Sequence, residues 1–215
     1  GTNTDTQAIA VTVTDVGALS IPATATLSIA ENGTAVTTVA GTSENAITYS
    51  ITGGVDAAKF AITSGGVLTF ASAPNFEAPT DAGANNVYDV QVTANDGATT
   101  AVQSIAVTVT GVNDNSPVFT SAATANVAEN STAVLTVAAT DADLPGQTLS
   151  YSISGGADST KFAINSSTGA LTFVAAPNFE APTDVGANNV YDVTVQVSDG
   201  TNTDTQAIAV TVTGV

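Results

Sequence analysis

The 215-residue chain contains no cysteine, no histidine and no tryptophan. Without Cys there is no disulfide framework and no thiolate chemistry. Without His, and with no nucleophile-elbow motif, the usual nucleophilic and acid–base constellations are missing. Zinc and copper sites draw on Cys and His, so they are disfavoured as well. No apolar run reaches the roughly 18 residues of a membrane span, and no signal peptide is visible. Basic residues are nearly absent: Lys59 and Lys161 stand against 19 acidic residues, for a formal charge of −17. Nucleic acid and anionic membranes are poor partners for such a surface, and direct membrane insertion is not expected. Salt, cations or both must make that charge tolerable.

What is present favours β structure. Apolar residues make up 43% of the chain. They are mostly Val, Ala and Ile, Thr and Ser are abundant, and long apolar helical patterns are absent. Internal repetition is the strongest signal. Gly1–Val13 recurs letter for letter as Gly200–Val212. PNFEAPTD occurs at Pro74–Asp81 and again at Pro177–Asp184, 103 residues on. GANNVYDV follows both copies, at Gly83–Val90 and Gly186–Val193. The chain therefore divides into residues 1–14, read as the orphan last strand of an upstream repeat, then a repeat over 15–111 and another over 112–215. Because Gly1 opens in mid-pattern, the sequence reads as a piece of something longer. The orphan strand is expected to be frayed or paired with an edge of another molecule.

Each repeat reads as a series of short strands. In the second they are Val134–Ala138, Leu149–Ile153, Phe162–Ile164, Ala170–Val174, Val190–Val197 and Ala207–Thr213. In the first they are Ala35–Val39, Ile47–Ile51, Phe60–Ile62, Val67–Phe70, Val87–Thr93 and Ser104–Val109. Several alternate strictly, as in Val193, Val195 and Val197 against Thr194, Gln196 and Ser198. Six or seven strands in about 100 residues, with no helix pattern, indicate a β-sandwich with Greek-key connections.

The acidic residues gather at strand ends and turns, with Asp89 and Asp192 the clearest exceptions. Strand ends of a sandwich collect at its two poles, so acids distant in sequence can converge. Glu31, Glu77, Asp114, Asp141, Asp143 and Asp199 are the six carboxylates placed to do so. Near the middle of the chain, Thr110–Phe119 reads TGVNDNSPVF, where Asn113, Asp114 and Asn115 set three oxygen-bearing side chains in a row. Such a run cannot be a buried strand. It is either a polar linker or one whose oxygens hold a hard cation. Calcium takes six to eight oxygens from carboxylates, amides, carbonyls and water.

The motifs AEN, NFE, VNDNSP, DAD and VSDG occur in this order, together with KFAI and TGAL in the middle of the second repeat. This set resembles cadherin repeats. The elongated PNFEAPTD–GANNVYDV loop resembles cadherin-like repeats of large bacterial calcium-dependent surface adhesins more than animal proteins. The resemblance implies an all-β fold of two tandem seven-stranded Greek-key cadherin-like (Ig-like) sandwiches, end to end. It also implies up to three calcium ions (Ca2+) at the junction of the repeats. By position, Glu31 and Glu77 would be ligands from the first repeat, with Asp114 bridging and the Val112 carbonyl contributing. Asn113 by its side chain and Asn115 by its backbone would face the third ion, with Asp141, Asp143 and Asp199 completing the set.

The sequence departs from that pattern in places. Asn75 and Asn178 stand where the family usually has an acid, which weakens the outermost ion. Asp81 is a possible replacement, although an exposed loop acid is the blander reading. Gly111 replaces the first Asp of the linker motif. The first repeat opens with Thr14–Pro22, which has no NDN, and has Gly41–Asn45 in place of DAD. No calcium cluster is expected before it. At the far end, Glu129, Asn178 and Glu180 form a half-site expected to be empty or weak.

These readings point to a calcium-binding adhesion or extender module of a large extracellular, cell-surface protein. Its partners would be adjacent repeats of the same protein, with homophilic or polysaccharide partners possible. A calcium-dependent carbohydrate-binding module is the alternative, its candidate loops being Asn85-Asn86 with Tyr88 and Asn188-Asn189 with Tyr191; the blander reading packs both tyrosines inward. No catalytic residues are assigned, because the paired carboxylates lie at a domain junction rather than in an aromatic-walled cleft.

Overall fold

The computed structural model describes residues 1, 2, 4–9 and 17–215. They fall into two compact units, Gly1–Thr110 and Gly111–Val215. The expected orphan strand over 1–14 lies partly outside the described residues, at 3 and 10–14. Residues 1, 2 and 4–9 carry no strand, and Ile9 is 79% exposed. No helix among the described residues is long and apolar enough to cross a membrane.

The first unit holds β1 (Thr24–Ala30), β2 (Ala35–Thr38), β3 (Thr48–Gly53), β4 (Phe60–Ile62), β5 (Val67–Phe70), β6 (Val87–Asn95) and β7 (Thr100–Thr110). One sheet runs β1-β7-β6-β3 and the other β2-β5-β4. The second unit holds β8 (Val118–Phe119), β9 (Thr124–Ala128), β10 (Ala133–Thr136), β11 (Ala139–Thr140), β12 (Ser150–Gly155), β13 (Phe162–Ile164), β14 (Ala170–Phe173), β15 (Val190–Ser198) and β16 (Thr203–Thr213). Its sheets run β12-β15-β16-β9 and β10-β14-β13, with a short β11-β8 pair besides. The first and last long strands of each unit pair in parallel, β1 with β7 and β9 with β16. All other strand pairs are antiparallel.

Period-two alternation decides which face is inside. In β6, Tyr88, Val90, Val92 and Ala94 are buried while Asp89 and Gln91 are exposed. In β15, Tyr191, Val193, Val195 and Val197 are buried while Asp192 is exposed. The two mid-strand acids thus sit on wet faces, where a carboxylate keeps its hydration.

Each core is built round the same aromatic triad. Phe60 stacks on Phe70 at 4.6 Å, and Tyr88 meets Phe70 edge-on at 5.1 Å. Phe162, Phe173 and Tyr191 repeat this at 4.6 and 5.1 Å. Burying each ring contributes about 1.5–3 kcal/mol, and the edge-to-face geometry adds about 1. Tyr88 and Tyr191 are each 1% exposed. Their hydroxyls accept from the Thr80 and Thr183 N–H at 3.2 and 3.1 Å, so burial leaves neither oxygen unsatisfied. These bonds tie the long loop before β6 and β15 to the core.

A second clasp fixes that loop. Asp56 Oδ1 accepts from Ala82 N at 2.7 Å and its Oδ2 from Asp89 N at 2.9 Å. Asp158 does the same with Val185 N and Asp192 N, at 2.8 and 2.9 Å. The chain reaches these positions through Gly54 and Gly156, at φ +97° and +104°. A Cβ there would lie 2.4 and 2.5 Å from the carbonyl oxygens of Asp89 and Asp192, so only glycine fits.

Candidate metal centre

Strand β15 ends at Ser198, and Asp199 opens the tight turn into β16. Asp199 Oδ1 accepts from the backbone N–H of Thr201 and of Asn202, both at 2.6 Å, as aspartate commonly does in turns. After β11 the chain gives Asp141 and Asp143, whose alternation lets both reach the same pole. Asp143 N donates to Asp141 Oδ1 at 3.2 Å. Asp141, Asp143 and Asp199 each bring a carboxylate oxygen within 4.8 Å of the others. Asp143 and Asp199 are 1% and 7% exposed.

The linker leans on this pole from above. Asn115 donates its backbone N–H to Asp143 Oδ1 and Oδ2 at 3.1 and 3.2 Å, and its Nδ2 to Asp143 Oδ1 at 2.6 Å. The Asn113 amide has two uses. With Nδ2 inward it donates to Asp143 Oδ2 at 3.2 Å and Asp199 Oδ2 at 3.0 Å. With Oδ1 inward it accepts from Asn202 Nδ2 at 3.2 Å, and its oxygen joins the carboxylates. Asp114 is exposed, and its Oδ1 accepts from Asn115 Nδ2 at 3.1 Å. Val112 is half-buried in the same segment.

The electrostatics follow from these contacts. Burial pushes the Asp143 carboxyl up, but hydrogen bonds from the Asn115 side chain and backbone, and from Asp114, outweigh it and hold the group below its ordinary range. Asp199 is treated alike: burial raises it, and bonds from Thr201, Asn202 and Asn113 bring it down. Both groups are therefore anionic at neutral pH, within 4.8 Å of each other and of Asp141. Asp141 Oδ2 is buried and has no hydrogen-bond partner among the described residues. A buried polar oxygen without a donor is costly. The donor set is entirely oxygen, with no thiolate or imidazole, and so fits a hard divalent cation.

In the first unit Glu31 and Glu77 bring carboxylate oxygens within 4.8 Å of one another. Glu31 is 4% exposed, and its Oε2 accepts from Phe76 N at 2.7 Å. Its backbone N–H donates to Thr110 O at 3.0 Å, fixing the AEN turn to the end of β7. Glu129 occupies the same place in the second unit, accepting from Phe179 N and Val215 N at 3.1 Å each. Those two bonds keep its carboxyl below the ordinary range against the opposing effect of burial.

Asn75 is exposed and turns its Oδ1 to Ala78 N at 2.9 Å, capping its own loop. Asp81 is not the exposed loop acid that the sequence suggested. It is 6% exposed, and its two oxygens accept from Asn86 N and Asn85 N at 3.0 Å. The physical reason is the left-handed turn at Ala84 (φ 49°) and Asn86 (φ 62°), whose inward N–H groups need an acceptor. Asp184 serves Asn188 and Asn189 in the same way.

The corresponding pole of the first unit is satisfied differently. Asp96 stands where the second unit has Asp199, and Ser43 lies in the segment that replaces DAD. Ser43 Oγ donates to Asp96 Oδ2 at 2.8 Å, while Ala98 N and Thr99 N donate to Oδ1 at 3.0 and 2.7 Å. The Thr99, Ser43 and Ala98 bonds, in that order, lower the Asp96 carboxyl to about 2 despite its burial. A hydroxyl thus supplies there what a cation would supply elsewhere.

Sequence reading missed two contributors. Ser43 carried no signal beyond standing in for an aspartate. Asn202 had one, its place three residues after Asp199 in a turn where Asn bonds backbone readily. Its Nδ2 donates to Asn115 O at 2.7 Å.

Residues 123–213 match the cadherin domain family. The chain is 36% identical over 133 residues to the human cadherin EGF LAG seven-pass G-type receptor 2, covering 59% of this chain and 4% of that protein. The mouse counterpart matches at 35% over the same share. Among solved structures, mouse cadherin-23 EC22-24 superposes with a TM-score of 0.71 at 20% identity, over 93% of this chain and 67% of the other. Human protocadherin-24 EC1-2 gives 0.69 at 19%, over 88% and 94%. These structural likenesses show the fold. The chain is built of cadherin-like β-sandwich repeats, and the second of them matches the cadherin domain family over nearly its whole length.

Proposed function

We propose that this chain is a calcium-binding adhesion or extender segment of a large extracellular protein, with Ca2+ held at the linker between its two repeats. The observation that carries the reading is the convergence of Asp141, Asp143 and Asp199 beneath Asn113 and Asn115, with the buried Asp141 Oδ2 lacking any donor among the described residues. Asp141, Asp143, Asp199, Asn113 and the Asn115 carbonyl would hold an ion on the second repeat's side. Glu31 and Glu77 would contribute from the first repeat, with Asp114 and the Val112 carbonyl between. The full set would take up to three ions; Asn75 in place of an acid weakens the outermost. A bound ion would supply the positive charge that these carboxylates lack.

The match to the cadherin domain family supports an extracellular adhesion role, with neighbouring repeats and homophilic contacts as the partners. The length of the Pro74–Val90 loop supports a bacterial surface adhesin as the parent protein. The carbohydrate reading gains no support, because Tyr88 and Tyr191 are 1% exposed and offer no ring face to a sugar.

Calcium titration with melting temperature and small-angle scattering as readouts tests the proposal. Binding to the folded state alone adds about 2.7 kcal/mol at a hundredfold excess over Kd, and extracellular modules commonly bind near ~10⁻⁴–10⁻³ M. Chelation is expected to lower the melting temperature and change the scattering profile. If it does neither, the calcium reading is wrong.

A further inference from the structure

We propose that Asn202 is a positioning residue of this cation site, one that supports the oxygen-inward orientation of Asn113 and fixes the linker for metal. The inference rests on the calcium reading above, but it concerns a side chain outside the carboxylate set. Asn202 sits in the β15–β16 turn, three residues beyond Asp199. Its backbone N–H donates to Asp199 Oδ1 at 2.6 Å, so the residue is tied to one candidate ligand. Its side-chain Nδ2 donates to Asn115 O at 2.7 Å and, when Asn113 presents its oxygen, to Asn113 Oδ1 at 3.2 Å.

The second contact matters because the Asn113 amide can face the carboxylates in two ways. With nitrogen inward it acts as a donor to Asp143 and Asp199, and no oxygen faces a cation. With oxygen inward it joins the carboxylates as a further neutral ligand, but loses those two bonds. The Asn202 donor at 3.2 Å is available only to the oxygen-inward form. Asn202 therefore offsets part of the cost of presenting an oxygen, and it pins the Asn115 carbonyl on the same side. Both Asn202 hydrogens are needed for this, which serine or threonine cannot supply. In the first unit the equivalent residue is Thr99, whose Oγ1 turns back to Asp96 at 3.3 Å.

Partners that orient ligands from behind typically change metal affinity by about 10–100-fold. We expect Asn202→Ala to weaken calcium binding, read by isothermal calorimetry, by about tenfold or more. In chelator, with no metal present, the same variant should speed hydrogen exchange at the Asn115 amide while leaving β15 and β16 amides protected. Calorimetry that shows equal calcium affinity for the variant and the parent overturns the proposal. So does unchanged Asn115 exchange, since a residue that acts only as a direct ligand would not move the metal-free linker. Asn202→Asp separates those roles further: it removes the donor, so tighter calcium binding than the parent would mark residue 202 as a ligand and overturn positioning. If the parent protein binds no calcium, the inference falls with the calcium reading, and the exchange result then reports the clamp alone.

Discussion

At the residue scale, the acid at the first unit's pole is satisfied from within the protein. Asp96 is satisfied by Ser43, Ala98 and Thr99, and its carboxyl falls to about 2. Since the folded-state value lies below the ordinary 3.8, its contribution to stability is whole above that value and is lost as pH falls through about 2. Replacing Ser43 with Ala removes one donor, so the Asp96 titration midpoint, followed by carboxyl-carbon NMR, should rise toward the ordinary value. An unmoved midpoint would mean that the hydroxyl contact is not held in solution. Asp158 illustrates the other use of a buried acid. Asp158→Ala strands the Val185 and Asp192 N–H groups and should cost about 2–6 kcal/mol in a denaturant melt, from ~1–3 kcal/mol per orphaned group. A loss under 0.5 would show that the loop is held by its other contacts. Neither role was legible in the sequence, because a loop acid that caps backbone and one that awaits an ion are the same letter. Asp81 shows this directly: composition suggested solvent, and the left-handed turn beside it demanded an acceptor.

At the element scale, legibility followed pattern strength. β4, β5 and β13 match the strands expected from Phe60–Ile62, Val67–Phe70 and Phe162–Ile164. Long alternating runs fixed β6, β7, β15 and β16 to within a few residues. The expected strands omitted β1 and β9. These edge strands are built from Thr, Ala, Ser and Asn round a few larger apolar residues, and most of their inward positions are only half-buried. Weak alternation is what an edge requires, and it is also what hides an edge from a reading by hydrophobic period. The dyads β8 and β11 are two residues each, too short for any period to register. The triad of Phe162, Phe173 and Tyr191 spans three strands and both sheets, so truncation there tests the core. Phe162→Ala should cost about 3–5 kcal/mol by calorimetry or denaturant. A much smaller loss would imply that the neighbouring side chains collapse into the gap.

At the scale of the whole molecule, charge is the governing quantity. A formal charge of −17 with only two lysines gives the chain few internal counterions. The calcium proposal makes the solvent supply them, so stability should depend on calcium far more than on sodium at equal ionic strength. Asp114→Ala should reproduce in calcium the melting temperature that the parent shows in chelator. Retention of the full calcium-dependent shift in that variant would remove Asp114 from the ligand set.

The parallel pairing at the side of each sheet has a mechanical consequence. β1 lies beside β7 over seven residue pairs, Thr24↔Ser104 to Ala30↔Thr110, and both strands run the same way. The chain therefore comes into that unit at one pole and leaves it at the other. Tension applied through it drags the two strands past each other along their length. Under such shear the hydrogen bonds share the load and fail together, instead of opening one at a time as in a hairpin peeled from its end. β9 and β16 repeat the geometry over five pairs, Thr124↔Ala209 to Ala128↔Thr213. The second clamp is shorter than the first, so of the two ladders it has fewer rungs to hold a pulled chain.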